Sequence, residues 1–195
     1  MGERLQNWAE GDDIPLFLAR TWAEQTRRML REVDRLRAEY RQLGRDYDRG
    51  YMGSDGYEVS EDMLNRAGRA IWAAECLLVV SAWSLDVWMS KVYKARKRKT
   101  RQQHVALGQL RNAIMHLDEG EFDEEGSFVL AREGRSKHGL AALPGGRLSV
   151  GLSWDGKLFG LLTPDELAAL ASTLLDELNS EFEEFRGDLV ELFRD

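Results

Sequence analysis

The grouping of side chains best suited to acid–base chemistry in this sequence is Arg111-Asn112-Ala113-Ile114-Met115-His116. Histidine takes or gives a proton near neutral pH. Arginine stays cationic and offers a planar fork of N–H donors that matches two phosphate oxygens. Asparagine can orient the histidine or donate to the same phosphate. These residue types suit proton transfer at a phosphate ester under a fixed positive charge. Other groupings carry less. His104 and His138 have no cysteine or histidine partners at metal-ligand spacing, and no phosphate-binding glycine loop is present. Asp118, Glu119, Glu121, Asp123, Glu124 and Glu125 form an acidic run without the ordered spacing of a calcium loop, and it reads as a solvated loop. Neither a metal nor a cofactor is expected. The acidic run is awkward beside His116, because it repels a polyanion.

A helix must hold the stretch. Thr100 followed by Gln103 reads as a capping box opening a helix over about 101–118, with Leu107, Leu110, Ile114 and Leu117 as its apolar stripe. At about 100° per residue, Arg111 and His116 lie roughly 140° apart. Asn112 and His116, four apart, share a face that Gln109 extends, and Arg111 stands at its border. Each residue also has a plainer reading. His116 can be a helix-end histidine favoured by the dipole. Arg111 can pair with Asp86 or Glu75, and such a pair can itself orient a working arginine.

The other elements are legible from caps and periodicity. A first helix starts near Pro15 and runs to about Tyr47, with Trp22, Met29, Val33, Leu36, Tyr40, Leu43 and Tyr47 as a stripe at helical spacing. That stripe is one wall of a bundle, or a surface for a partner. Gly50, Gly53 and Gly56 mark a loop. Ser60 is the next N-cap, with Glu61 and Asp62 in the first turn, and the helix runs past Trp88 into a basic segment. Residues 119–162 change character. Leu148 to Trp154, a turn at Asp155-Gly156 and a return over Lys157 to Leu162 predict a β-hairpin. Thr163-Pro164-Asp165-Glu166 then opens a last long helix burying Leu167, Leu170, Leu174, Leu178, Phe182 and Phe185, with Gly187 as a break or kink. The chain is expected to be one mainly α domain over 1–195, a helical bundle with a small β-containing insertion at about 119–162.

Composition narrows the setting. The apolar fraction of 43% is ordinary for a globular chain. Cys76 is the only cysteine, which excludes an intrachain disulfide and fits a reducing compartment. The first residues lack an apolar signal core. The apolar run Ala70 to Met89 contains Glu75 and Asp86, so a buried helix is expected rather than a membrane span. A cytoplasmic protein without membrane association follows as the expectation. Net charge is −7, yet Lys91, Lys94, Arg96, Lys97, Arg98, Lys99 and Arg101 fall within eleven residues that hold no acid. The remainder carries −14, the total less those seven charges. Such asymmetry points to a local anionic partner.

The stretch LRNAIMHLDE at 110–119 resembles the HEPN superfamily, whose ribonuclease members carry arginine, a polar residue and then histidine after four to six intervening positions. Asn112 fills the polar slot. SAWSLDVW at 81–88 is a further likeness, with Asp86 as the acid that many HEPN helices carry in an apolar stretch. The resemblance is sharpest over about 81–119. It implies a HEPN-like four-helix fold in which two such helices meet across a dimer axis, so that Arg111, Asn112 and His116 of both copies form one composite site. Asp86 and Glu75 would support Arg111. Lys94, Arg96, Lys97, Arg98, Lys99 and Arg101 would bind RNA phosphates. The implied activity is metal-independent RNA cleavage by the adjacent 2′-hydroxyl, in a toxin, phage-defence or RNA-processing setting, with a homodimer as the working form and a protein regulator as a further partner. One toxin branch carries tyrosine two positions after the histidine, where its partner modifies it. Asp118 stands there in this chain, which puts that control in doubt. The other reading is a noncatalytic HEPN-like interaction or regulatory module.

Overall fold

A computed structural model describes residues 14–51, 59–99, 101–122, 128–130, 157–158 and 160–192. Its described residues are mainly helical: α1 (Ile14–Tyr51), α2 (Glu61–Ala95), α3 (Val105–Met115) and α4 (Pro164–Leu192), with a 3₁₀ turn at Leu117–Glu119. Two short strands, β1 (Gly120–Phe122) and β2 (Phe128–Leu130), pair antiparallel, Glu121 opposite Val129. The hairpin expected at 148–162 lies mostly outside the described residues. Within its last part Leu158 and Leu162 form an antiparallel bridge around Gly160, whose φ of 73° suits a residue without Cβ.

Three helix starts follow from local chemistry. Pro15 sits in the first turn of α1, where a missing N–H costs nothing. The Ser60 hydroxyl accepts from the Met63 N–H at 3.3 Å and opens α2. At α4 the capping box is closed on both sides. The Glu166 N–H donates to Thr163 Oγ1 at 3.1 Å, and the Thr163 N–H donates to Glu166 Oε2 at 2.7 Å. Gly187 does not end α4, which runs on to Leu192.

The deep face of α1 differs from the expected stripe. Leu16, Ala19, Ala23, Thr26, Met29, Val33 and Arg37 are buried, and Trp22 and Leu36 pack only partly. α2 is the central helix. Leu78, Val79, Ala82, Leu85 and Met89 are at most 1% exposed and meet α1, α3 and α4. α2 is also long and apolar enough to cross a membrane by length and composition, with a window of mean hydropathy 1.5 that is 56% buried by the other elements.

A charge cluster, buried at Arg37 and Glu75 and exposed at Asp165, ties α1, α2 and α4. Arg37 Nη2 donates to Glu75 Oε1 at 2.9 Å and Nη1 to Asp165 Oδ1 at 3.1 Å. Glu75 is therefore the partner of Arg37, not of Arg111 as the sequence allowed. Desolvation holds the Glu75 carboxyl above its usual range, against the pull of the Arg37 guanidinium. The unfolded carboxyl releases its proton at lower pH than the folded one. Its contribution to stability is thus full below the unfolded value and is lost as pH rises through the raised folded value.

Next to it, burial and the neighbouring Glu75 carboxylate push the Cys76 thiol up to about 12. A rise from 9.0 to about 12 leaves roughly a thousandfold less thiolate at neutral pH. Cys76 is expected to react with iodoacetamide at pH 8 far more slowly than the unfolded chain does. Equal rates in buffer and in urea would contradict this packing.

Helix α2 ends in a Schellman turn with an unusual residue. The Arg98 N–H donates to Tyr93 O at 3.0 Å and the Lys97 N–H to Lys94 O at 3.1 Å. Lys97 therefore adopts φ 53°, the left-handed region that glycine fills without strain. Lys97→Gly is expected to stabilise the fold by about 1 kcal/mol, or about 2–4 °C in Tm. Thermal melts check this directly.

Candidate functional site

The α3 helix that carries the candidate residues begins later than its sequence suggests. Thr100 lies outside the described residues, and the helix starts at Val105 with His104 as N-cap, whose side chain makes no cap bond. The cap comes instead from α2. Asp86 is fully buried, and its Oδ2 accepts from the His104 N–H at 2.8 Å. Its Oδ1 pairs with Arg101 Nη1. Arg101 Nε reaches on to Glu177 Oε2 of α4 at 2.8 Å. One carboxylate thus fixes the start of α3, the connector before it and, through Arg101, α4. Leu107, Leu110 and Ala113 then bury the inner face of α3, and Gly108 lies against the Trp83 indole of α2.

This corrects two expectations. Asp86 supports Arg101 rather than Arg111. Arg101, expected among the RNA-binding cations, has a side chain only 9% exposed and is spent on two carboxylates. The rest of the basic segment divides. Lys94, Lys97 and Lys99 are exposed, Arg96 and Arg98 are half-buried, and Arg98 lies over the Tyr93 ring at 5.9 Å.

With Glu75 and Asp86 both engaged elsewhere, Arg111 has no carboxylate partner among the described residues. Its guanidinium carbon lies 4.8 Å from the centroid of Trp83, and Nη1 donates to Asn112 Oδ1 at 3.1 Å. His116 is the C-cap of α3, its backbone N–H shared between Asn112 O at 3.1 Å and Ala113 O at 3.3 Å. Arg111, Asn112 and His116 are all half-buried, so solvent reaches each of them. Val105 and Met115 on the same helix are 67% and 54% exposed. The outer side of α3 is thus open in the single chain. Its eleven residues set the basic connector and His116 roughly 16 Å apart along the axis.

Trp83 is the site residue that sequence reading missed. The signal was present: an aromatic residue three positions before the buried acid on a helix that must cross α3. Its pairing with Arg111 depends on how the two helices cross, which periodicity does not specify. Among the described residues no three His, Cys, Asp or Glu side chains stand close enough together to hold a metal ion. No family model, curated protein or solved structure matches this chain.

Proposed function

We propose that this chain is a metal-independent endoribonuclease of the HEPN type, acting in the cytoplasm on cellular RNA as a homodimer with a HEPN-like bundle in each copy. The observation that carries the reading is an arginine with no carboxylate partner among the described residues, bonded to Asn112, with His116 at the C-cap of the same helix. One His116 removes the proton of a 2′-hydroxyl, and that oxygen attacks the adjacent phosphorus. The P–O5′ bond breaks, and His116 of a second copy returns a proton to O5′. Arg111 balances the charge on the phosphate as it passes through the five-coordinate state. The exposed Lys94, Lys97 and Lys99 give the strand a cationic approach. Toxin, phage-defence and RNA-processing roles all suit this chemistry, and a protein regulator belongs to the same proposal.

The test is cleavage of a mixed RNA pool in EDTA, followed by end-group analysis. The expected products carry 2′,3′-cyclic phosphate and 5′-hydroxyl ends. Metal-dependent cutting, or 5′-phosphate ends, would rule this mechanism out.

A second reading, a noncatalytic interaction module, is favoured by one feature. An open groove of about 780 Å³ runs between α1 and α2, lined by Met29, Leu36, Ala73 and Leu77 with Arg28 and Arg31 at its margin. Leu77 is 55% exposed there. A chain that cuts no RNA of any kind would favour this second reading.

A further inference from the structure

Arg37 and Arg101, with side chains 11% and 9% exposed, are each held by acids: Arg37 by Glu75 and Asp165, Arg101 by Asp86 and Glu177. Arg111 is held by an aromatic ring and an amide instead. The difference matters for ligand binding. A guanidinium has five N–H donors in a rigid plane. Arg111 spends one on Asn112 Oδ1, and the others have no acceptor among the described residues. Contact with the face of an indole attracts the cation without occupying any donor. Trp83 thus restricts the side chain while leaving its charge and most of its hydrogen-bonding capacity unspent. Gly108, three residues before Arg111 and so on the same side of α3, lies beside the indole. A Cβ there would lie 3.8 Å from Trp83 Nε1.

We infer that Trp83, Arg111 and Asn112 form a preorganised oxyanion site for a phosphate group, with Trp83 as its positioning residue. The inference rests on the ribonuclease reading for its biological ligand, an RNA phosphodiester, but not for its existence. All three residues belong to one chain. The site is therefore complete in the monomer, and only the paired proton transfers need a second copy. Binding and cleavage separate accordingly. Phosphate affinity is independent of protein concentration, whereas cleavage per chain falls with dilution below the dimer dissociation constant.

The experiment is arginine Nε–H NMR on the full-length protein, with the Arg111 signal identified as the one lost in Arg111→Lys. Two probes are titrated: inorganic phosphate, and a 2′-O-methyl RNA oligonucleotide that cannot be cleaved. The wild-type Arg111 signal is expected to move saturably with both, more tightly with the oligonucleotide if the site serves RNA. Trp83→Phe, which keeps a ring, is expected to bind within about twofold of wild type, and Trp83→Leu to bind about fivefold more weakly, the worth of one half-exposed cation–π contact. Arg111→Lys leaves the indole in place and tests the site without touching Trp83. Followed at the Trp83 indole N–H signal, since its own arginine signal is gone, it is expected to bind both probes several-fold more weakly, because it keeps the charge and loses the fork. Unchanged affinity in a folded Trp83→Leu, or in Arg111→Lys, overturns the proposal. RNA left uncut while phosphate still moves Arg111 keeps the site and removes the enzyme. RNA cut with no phosphate response at Arg111 removes the site and keeps the enzyme.

Discussion

His116→Ala is expected to lower RNA cleavage by about 10²–10⁴-fold, the range set by one positioned acid–base group. In a symmetric dimer the substitution removes base and acid together, so the upper end is the better expectation. Fold stability is measured alongside, so that a lost rate is read only from a folded variant. His116 lies past the last buried residue of α3, Ala113, and its backbone N–H bonds to Asn112 O and Ala113 O do not depend on the imidazole. Arg111→Lys should also slow cleavage, because an ammonium keeps the charge but cannot present two parallel donors. The stability of an Arg111 variant is informative in itself. No acid among the described residues is left behind when the guanidinium goes, so even Arg111→Ala should cost little beyond its contact with Trp83, about 1 kcal/mol. An arginine held by buried carboxylates behaves differently, because its removal strands a charge. The measurements are initial rates on end-labelled RNA in EDTA alongside urea melts of the same preparations. Equal rates for wild type and His116→Ala would sink the enzyme reading.

The parts of this fold that were legible in the sequence are those decided within one turn of chain. Pro15, Ser60 and the Thr163–Glu166 box satisfy their helix starts with neighbours one to three residues away, and reading them needs only the local order of residue types. The start of α3 was misread because its cap is tertiary: the acceptor for the His104 N–H stands eighteen residues earlier, on another helix. The buried face of α1 was misread for a different reason. Ala19, Ala23 and Thr26 are sought by close helix packing, while the eye for periodicity follows Trp22 and Tyr40. The grouping Arg111, Asn112 and His116 was legible because it sits on one short helix. The partners of its neighbours were not. Glu75 and Asp86 had twenty-odd basic side chains to choose from, and the choice of Arg37 and Arg101 follows from how α1 and the connector cross α2. That choice is what leaves Arg111 without an acid among the described residues.

Asp86→Ala is expected to destabilise the fold by about 3–5 kcal/mol, the usual cost of stranding a buried ion-pair partner. Asp86 is 0% exposed and does two jobs with its two oxygens. Losing Oδ1 leaves Arg101, 9% exposed, with Glu177 alone, and Glu177 is itself about one-third exposed to solvent. Losing Oδ2 uncaps α3, a further cost of about 0.5–2 kcal/mol where no other acceptor takes the N–H. Asp86→Asn separates the two. Its carbonyl oxygen can still accept from the His104 N–H, so α3 keeps its cap, while the charge opposite Arg101 is gone. It should fall between wild type and alanine. Arg101→Met leaves the cap intact and strands the carboxylate instead. Asp86→Leu combined with Arg101→Met removes both charges and should recover most of the loss, as hydrophobic replacement of a buried pair often does. What that double variant cannot recover is the cap. Hydrogen exchange at the His104 amide should therefore remain fast in it even when global stability returns, and Arg111 and His116 should be held less firmly. A loss of under 1 kcal/mol in Asp86→Ala, or unchanged exchange at the His104 amide, would show that α3 is positioned by its Leu107 and Leu110 packing alone.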